Sequence, residues 1–500
     1  MSTNYTETEQ QFLDYLKQIQ AYNEAIDVMY WDLRTKAPKK GVKQRSETIG
    51  LLSHKVHQMS TSDTMKHFID ELKGNTQNEI VHKSVLECEK EYERNAKIPD
   101  EEFKKYVILQ SEAESVWEEA REKDDFEMFR PYLEQLVEYN IKFAEYWGYE
   151  DNRYDALLDL FEPGMTVNVL DEVFPALRDS LTPLIEKVQQ SGHKPDTSKI
   201  LVPFTKEKQE AFSLEILKEM GYDFDAGRLD ETVHPFMIPL NRNDTRVTTR
   251  YDEKDFRMAV FGTIHEGGHA LYEQNLDESL TGTPLATGTS NGIHESQSLF
   301  WETYVARSKA FWDRYFDTLK DYAPESIAKL PAEEFYRAVN EVKPSFIRIE
   351  ADEMTYPLHI MVRYELEKGL INQEIEVKDL PRLWNDKMEE YLGIRPENDR
   401  EGVLQDVHWA GGSFGYFPSY ALGYMYGAQF YHAMNKDFNV QEALQNGELN
   451  KVKSWLTEKI HQYGKLKEPL EILQDVTGEG LNADYLVEYL EDKYKEIYKW

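Results

Sequence analysis

Cysteine is almost absent from this sequence. Cys88 is the only cysteine among 500 residues, so the chain forms no intrachain disulfide, and the acidic neighbours Glu87 and Glu89 do not activate its thiol. Glycine and proline are also scarce, with 26 and 19 residues, which excludes collagen-like and low-complexity proteins. No stretch approaches the roughly 18 consecutive apolar residues of a membrane-spanning helix. A chain of this length buries a core without cross-links, so its stability does not require a metal.

Basic residues are few relative to acidic ones. Lysine and arginine number 58 against 92 aspartates and glutamates, which gives a formal net charge of -34. This charge repels polyanions, and the short basic pairs lie among acidic residues, so we expect neither nucleic acid nor a membrane surface as a partner. Residues 1–10 are polar and acidic, whereas a secretory signal is basic and then apolar. The sequence therefore predicts a cytoplasmic protein.

Apolar residues recur at spacings of three and four in most of the chain, which is typical of amphipathic helices. Strand-like patterns are confined mainly to residues 199–204 and 234–251, and an Asn243-Asp244 turn signal divides the second of these. No linker, repeat or low-complexity segment interrupts the chain. We therefore predict a mostly α-helical protein with one small antiparallel β-sheet. Residues 1–500 are expected to form one continuous domain. A domain made of two lobes on either side of an active-site groove is compatible with this expectation.

The segment His265-Glu266-Gly267-Gly268-His269 is an HExxH motif that follows an apolar run. On a helix, residues four apart lie on one face about 6 Å apart along the axis, so both imidazoles can ligate one Zn²⁺. Glu266 lies about 100° further around the helix, near enough to hydrogen-bond a water on the metal. The two glycines indicate close approach of another backbone or of substrate, or else a kink. The alternative to a metal site is a chance spacing of two histidines.

A catalytic zinc also needs a third protein ligand. Glu295 follows a loop rich in Thr, Gly, Ser and Asn and leads into a helix, and a returning helix can bring its carboxylate back to the face that carries His269. His294, Glu273 and Glu302 compete for this position. Glu273 would have to reach along its own helix, and the spacing of Glu302 is more typical of a structural acid or of a partner to a ligand. We predict Glu295 as the third ligand, with His294 as the first alternative.

These residue types together predict peptide-bond hydrolysis. A zinc-bound water has a lowered pKa, the metal polarises a carbonyl, and a glutamate can pass the proton of the water to the leaving amine. A carboxypeptidase also requires a cation, best an arginine, for the free C-terminal carboxylate, and donors for the tetrahedral oxyanion. Similar nitrogen and oxygen ligands would accept Co²⁺ as well as Zn²⁺.

Five signatures occur in order along the chain: DxRxT at 244–248, HExxH at 265–269, HESQ at 294–297, IRxxAD at 347–352 and GxxQDxHW at 402–409. On these motifs the chain resembles the carboxypeptidase Taq family of metallocarboxypeptidases over nearly its whole length. The resemblance implies a largely helical fold with a deep groove, a homodimer with one zinc per subunit, and release of single C-terminal residues with broad preference. It also implies that Glu295 is the third zinc ligand and Glu266 the general base.

The resemblance further implies that Arg348 anchors the substrate carboxylate and that His408 donates a hydrogen bond near the oxyanion. From the residues alone, Arg348 could instead pair with the acids of its own segment, and His408 could be a core histidine held by Asp406. From the tyrosine-rich stretch 415–426 we select Tyr420 as a substrate or oxyanion contact, although most aromatic residues at such spacing belong to a core.

The remaining motif residues are expected to support the site rather than to react. Asp244 and Arg246 are predicted to form a structural ion pair in the small sheet, beside the zinc-binding helix. Asp352 and Asp406 are assigned similar supporting roles in the IRxxAD and GxxQDxHW motifs.

Three functions are compatible with these residues. The first is a cytoplasmic zinc metallocarboxypeptidase that acts on peptides with a free C-terminus. The second is a helical zinc oligopeptidase that cuts internal bonds of short peptides or removes dipeptides with the same zinc site. The third is a noncatalytic helical scaffold whose HExxH segment binds a structural metal or none. The nature of the products distinguishes the first two, and the effect of Glu266→Gln distinguishes both from the third.

Overall fold

The computed structural model describes residues 5–500, and α-helices dominate them. The first helices are α1 Glu7–Thr35, α2 Val42–Ser60, α3 Asp63–Leu72, α4 Glu79–Ala96, α5 Asp100–Lys123, α6 Phe126–Trp147, α7 Asp155–Leu158, α8 Val167–Gln190, α9 Lys206–Met220 and α10 Arg257–Gln274. They are followed by α11 Asn291–Leu299, α12 Lys309–Lys320, α13 Glu325–Ala328, α14 Ala332–Val339, α15 Tyr356–Ile371, α16 Leu380–Leu392, α17 Pro418–Asp437, α18 Val440–Gln445, α19 Leu449–Lys459, α20 Pro469–Thr477 and α21 Asp484–Tyr498. The strands are β1 Leu229–Glu231, β2 Met237–Asn241 and β3 Asp244–Thr249. The predicted fold class is confirmed.

The small sheet has the order β1-β3-β2 and is mixed. The expected antiparallel hairpin is present, because β2 pairs antiparallel with β3 and places Met237 opposite Val247. The sequence pattern did not predict β1, which pairs parallel with β3 and places Leu229 opposite Val247. In the chain β2 lies between β1 and β3, whereas in the sheet β3 lies between β1 and β2.

The strand-like pattern at residues 199–204 is not a strand. Thr197–Lys199 forms one 3-10 turn, capped by the Asp196 side chain, and the chain that follows is irregular. Ile200 and Phe204 are nevertheless buried. The apolar pattern thus reflects two side chains that anchor a loop in the core, without a neighbouring strand to pair with.

Two large apolar cores organise the helices, and a third, small cluster packs Trp31 of α1 against Ile238 and Leu240 of β2. The larger core contains buried residues from α5 to α21, and the smaller one joins α1, α3 and α4 with the end of α2. Cys88 is buried in the smaller core. The helices that carry the candidate site residues, α10, α11, α15 and α17, all belong to the larger core, which fixes their relative positions. None of the helices described in residues 5–500 is both long enough and apolar enough to cross a bilayer.

Candidate metal centre and active site

Three predicted residues meet where α10 faces α11. One potential ligand atom from each of His265, His269 and Glu295 lies within 4.8 Å of the other two. The Nε2 atom of His265 is 3.8 Å from Oε1 of Glu295, and the Nε2 atom of His269 is 3.4 Å from Oε2 of the same carboxylate. Both imidazoles therefore direct the same ring nitrogen towards one acid. Two nitrogens and one carboxylate are a donor set that fits a catalytic zinc.

Glycines allow the helices to approach closely at this point. A Cβ atom on Gly268 would lie 2.7 Å from Cα of Ser298 on α11, and one on Gly267 would lie 2.6 Å from the Leu217 side chain on α9. Helix α17 also approaches α11 closely, since a Cβ atom on Gly423 of α17 would lie 2.6 Å from Cγ of Glu295. Close approach of neighbouring helices therefore accounts for both glycines of the HExxH motif.

The Nδ1 atom of His265, which faces away from the cluster, is hydrogen-bonded to a carboxylate. Helix α11 continues into a π-helical segment, Phe300–Ala306, and this segment directs Glu302 to Nδ1 of His265 at 2.9 Å. Arg307 donates to the other oxygen of Glu302 at 3.0 Å. Burial would raise the pKa of Glu302, but the His265 and Arg307 contacts outweigh burial and lower it to about 2. Burial opposes the charged form of His265, but Glu295 and Glu302 outweigh it and raise the pKa of His265 to about 10.

The Nδ1 atom of His269, which faces away from the cluster, has a histidine as its partner rather than a carboxylate. It lies 2.6 Å from Nδ1 of His294, and Nε2 of His294 lies 2.8 Å from Oε1 of Glu273. Both ring nitrogens of His294 are therefore engaged away from the three-residue cluster. Glu273 and Glu302, the other competitors for the third position, also lie behind the histidines rather than among them. Burial lowers the pKa of His269 to about 4.

Glu266 differs from these acids because no hydrogen bond joins its carboxylate to another residue in the range 5–500. It is half-buried beside the cluster. Burial raises its pKa to about 7, an effect that His265 opposes and Glu295 reinforces.

Arg348 lies in a buried cluster of charges formed by two motifs. The residue is 5% exposed, and its Nε and Nη2 atoms donate to Oδ1 of Asp406 at 3.0 and 2.8 Å. Arg363 donates to the other oxygen of Asp406 at 2.7 Å. Although burial favours the neutral acid, Arg348 and then Arg363 hold the pKa of Asp406 far below its usual range. The alternative in which Arg348 pairs with acids of its own segment is wrong, since its partner comes from GxxQDxHW.

His408 lies beside this cluster, and no hydrogen bond joins it to Asp406, whose oxygens the two arginines occupy. Its Nε2 atom is 3.3 Å from the Tyr420 hydroxyl, and its Nδ1 atom has no hydrogen-bond partner among the described residues. The Arg348 guanidinium stacks 4.9 Å above the Tyr420 ring. Burial lowers the pKa of His408 to about 4, so the imidazole is neutral near pH 7.

The motif residues with expected supporting roles, Asp244, Arg246 and Asp352, have fixed hydrogen-bond partners. Asp244 and Arg246 form a two-pronged ion pair on β3, with distances of 2.8 and 2.7 Å. The Arg246 guanidinium also stacks 5.5 Å from the Trp31 ring of α1. Asp352 is half-buried and accepts hydrogen bonds from three backbone N–H groups, those of Lys343, Met354 and Thr355. Burial raises its pKa to about 6.

Two buried charges near the site were missed by sequence reasoning. Arg363 is fully buried and also donates to Gln405, and its signal was an arginine within the apolar stretch of α15. Glu367, one turn later, accepts hydrogen bonds from Tyr154, Trp409 and the Gly415 backbone, which ties down the loop that carries His408. An isolated glutamate on an apolar helix face was its only signal.

A helical fold with an HExxH helix and a converging third acid indicates a metallopeptidase. The chain matches the model of the family described as carboxypeptidase Taq (M32) metallopeptidase over residues 11–494, and it belongs to that family. It is 57% identical to carboxypeptidase 1 of Bacillus subtilis (strain 168) over 493 residues, which covers 98% of each chain. Membership implies a metal ion and peptide substrates, and the protein is a metallocarboxypeptidase.

Solved structures agree with this assignment. A carboxypeptidase from Pyrococcus furiosus superposes with a TM-score of 0.95 at 38% identity, covering 98% of this chain and 99% of that one. An M32 carboxypeptidase from Deinococcus radiodurans R1 superposes with a TM-score of 0.96 at 35% identity, covering 99% of this chain and all of that one. These relatives are named as carboxypeptidases, so the comparisons do not favour the oligopeptidase alternative.

Proposed function

We propose that this metallocarboxypeptidase uses zinc, replaceable by cobalt, to release single C-terminal amino acids from peptides with broad preference. His265, His269 and Glu295 would hold the ion. The observation that carries this proposal is the convergence of both Nε2 atoms on one buried carboxylate, which supplies the two nitrogens and one oxygen typical of a catalytic zinc. When bound, such an ion polarises a carbonyl and lowers the pKa of a water molecule.

Glu266 is the general base in this proposal. Its carboxylate is adjacent to His265 on α10 and is not engaged by any donor within residues 5–500, whereas Glu302 and Glu273 are each occupied by fixed partners. A free carboxylate can accept a proton from the attacking water and then donate it to the nitrogen of the leaving amino acid. The proton thus passes from water to the amine through the Glu266 carboxylate.

Arg348 is the proposed anchor for the substrate carboxylate. A guanidinium has five N–H donors, and Asp406 and Tyr356 occupy three of those on Arg348. Two donors remain, which suits a bidentate contact with a carboxylate. Because Arg348 and Arg363 share the single carboxylate of Asp406, the cluster keeps a net positive charge that attracts an anionic C-terminus.

His408 and Tyr420 are proposed to contact the substrate beside this anchor. A neutral His408 can donate one N–H, and the Tyr420 hydroxyl can donate its own proton, so both can stabilise negative charge on the carbonyl oxygen. Their proximity to each other and to Arg348 supports a shared role. The homodimer remains a prediction from the family resemblance, and size-exclusion chromatography with light scattering tests it. The cytoplasmic location remains a prediction from the sequence.

The decisive experiment compares one peptide in two forms, with a free C-terminus and with an amidated C-terminus. Each is incubated with the protein after chelation and after addition of Zn²⁺ or Co²⁺, and the products are identified by mass spectrometry. We expect metal-dependent loss of single residues from the free-acid form alone. Internal cleavage of both peptides would support the oligopeptidase, and no cleavage with any metal would support the scaffold.

A further inference from the structure

We propose that His294 is a positioning residue that, together with Glu273, sets the tautomer and orientation of His269 and thereby the affinity of the centre for its metal. This inference rests on the proposed metal site at His265, His269 and Glu295. His294 does not touch the ion in this proposal. It acts through the ring of His269, on the side opposite the cluster.

The tautomers follow from the hydrogen-bond chain. A neutral imidazole that offers Nε2 to a metal carries its proton on Nδ1. For His269, that Nδ1–H group donates to Nδ1 of His294 across 2.6 Å. His294 must then carry its own proton on Nε2, where it donates to Oε1 of Glu273 across 2.8 Å. Each assignment requires the next, so the Glu273 carboxylate selects the tautomer of both histidines.

Glu273 is held firmly enough to serve as this reference point. The residue is 1% exposed, and the same Oε1 atom accepts hydrogen bonds from Thr287 Oγ1 at 2.9 Å and from the Gly288 backbone N–H at 3.0 Å. No lysine or arginine forms an ion pair with Glu273 within residues 5–500. Rotation of the carboxylate would break three hydrogen bonds at once, so its orientation is fixed by the loop after α10.

The ring of His294 also has little freedom. It packs 4.9 Å from the Tyr272 ring, and a Cβ atom on Gly288 would lie 2.5 Å from Cδ2 of His294. Only glycine leaves room for the imidazole at that position. Tyr272 and Gly288 therefore restrict the His294 ring to the orientation in which it bonds to both His269 and Glu273.

The two candidate ligand histidines consequently have unequal supports. His265 donates directly to the Glu302 carboxylate, which Arg307 partly neutralises. For His269, an imidazole separates the ring from the carboxylate of Glu273. Partners of this kind orient ligands, and their loss typically lowers metal affinity by about 10–100-fold. The structure thus points to two independent positioning devices, one for each histidine.

Two substitutions of His294 separate its two contacts. In His294→Asn, the side-chain oxygen lies near the position of Nδ1 and can accept from His269, but the side chain does not reach Glu273. In His294→Gln, the amide reaches Glu273 but offers no acceptor to His269. We expect His294→Gln to weaken Zn²⁺ binding by about 10–100-fold and His294→Asn to recover much of that loss. Competition with a chromophoric chelator measures the affinities, and the visible absorption of the Co²⁺ form reports ligand geometry.

Glu273→Gln is the second test, because it keeps the shape and one acceptor oxygen but removes the charge. We expect weaker metal binding than in the unmodified protein, with an unchanged far-ultraviolet circular dichroism spectrum. Glu302→Gln serves as the matched control on His265, and His269→Ala tests the metal site itself. Full metal binding by His269→Ala would contradict the proposed function.

If His269→Ala loses metal but His294→Gln and Glu273→Gln both bind Zn²⁺ as the unmodified protein does, the positioning role of His294 is overturned while the proposed function stands. Equal losses in His294→Asn and His294→Gln, with an altered Co²⁺ spectrum in both, would also overturn it, because His294 would then act as a ligand.

Discussion

Gly268 of α10 lies directly against the backbone of Ser298 on α11, and a Cβ atom at Gly268 would approach Cα of Ser298 to 2.7 Å. The neighbouring carbonyl of Gln297 would be equally close. This contact sets the distance between the helix that carries the HExxH motif and the helix that carries Glu295. The geometry of the candidate metal centre therefore depends on a position that cannot hold a side chain.

Gly268→Ala should damage both the fold and the centre. Backbone atoms cannot move aside cheaply, so we expect a loss of about 1–3 kcal/mol in the free energy of unfolding, together with weaker metal binding. Gly262→Ala, in the same helix, is the matched control. Its Cβ atom would meet only Met258 Sδ at 3.8 Å, so it should be neutral or stabilising by up to about 1 kcal/mol. Denaturant unfolding of the metal-free proteins measures the free energy of unfolding of both variants. An equal change in the two would show that the close contact at Gly268 does not limit stability.

Glu266→Gln should abolish turnover without releasing the metal. The amide cannot accept a proton from water, so kcat should fall by at least about 10²–10⁴-fold, the usual contribution of a general base. Metal content, measured by atomic absorption, should match that of the unmodified protein. A variant that retains metal and near-normal kcat would assign the base to another residue.

Arg348→Gln should weaken recognition of the substrate carboxylate. Charged hydrogen bonds contribute about 1.5–3 kcal/mol, so kcat/KM for a free-acid peptide should fall about 10–100-fold. Asp406 keeps Arg363 as its partner, which limits structural damage. Any residual cleavage of the amidated peptide should not change, so the preference for the free acid should shrink.

Arg337→Gln is the control, because Arg337 loses only its contacts to the backbone carbonyls of Ile497 and His193. If Arg348→Gln leaves the preference for the free-acid peptide unchanged, Arg348 does not bind the substrate carboxylate.

Stability should fall in acid because of His461. Burial lowers its pKa in the folded protein to about 3, and its Nε2 atom bonds to Gln297 at 2.8 Å. An unfolded histidine has a pKa of about 6.5, so the unfolded state binds a proton first as pH falls below that value. The contribution of neutral His461 is complete above about pH 6.5 and is lost as pH falls towards 3.

Between pH 6.5 and 4.5 this histidine should account for about 2–3 kcal/mol of lost unfolding free energy. His461→Gln keeps a polar group but does not titrate, and it should flatten the pH dependence over that interval. The same substitution at exposed His193 is the surface control. Urea unfolding of the metal-free proteins at both pH values measures the slopes, and parallel slopes for His461→Gln and the unmodified protein would contradict the assignment.

Local patterns in the sequence predicted much of this molecule. Amphipathic spacing predicted the helices, because a helix repeats its buried face every three or four residues whatever lies beyond it. The β2–β3 hairpin followed from a turn signal between two short strands. The parallel strand β1 was missed for two reasons. Its three residues are too few to show an alternation of apolar and polar side chains, and its partner strand lies 18 residues away in the chain.

In the candidate metal centre, too, local sequence patterns predicted one part and tertiary packing decided the rest. The spacing of His265 and His269 determined by itself that two imidazoles share one helix face, since helical geometry needs no tertiary contact. Only the packing of α10 against α11 decided which candidate third ligand faces the two imidazoles. The candidates were Glu295, His294, Glu273 and Glu302. Glu295 lies with the pair, while His294 and Glu302 take positions behind it.

The Arg348 cluster shows the same limit at longer range. The sequence identified Arg348 and Asp406 as motif residues, but their pairing joins positions 58 residues apart, and Arg363 enters from a third element. Composition and periodicity determined the helices, the negative charge and the HExxH face. Only the tertiary structure decided which buried charges share a partner, because that choice depends on how the helices pack and on the cost of leaving any buried charge unpaired.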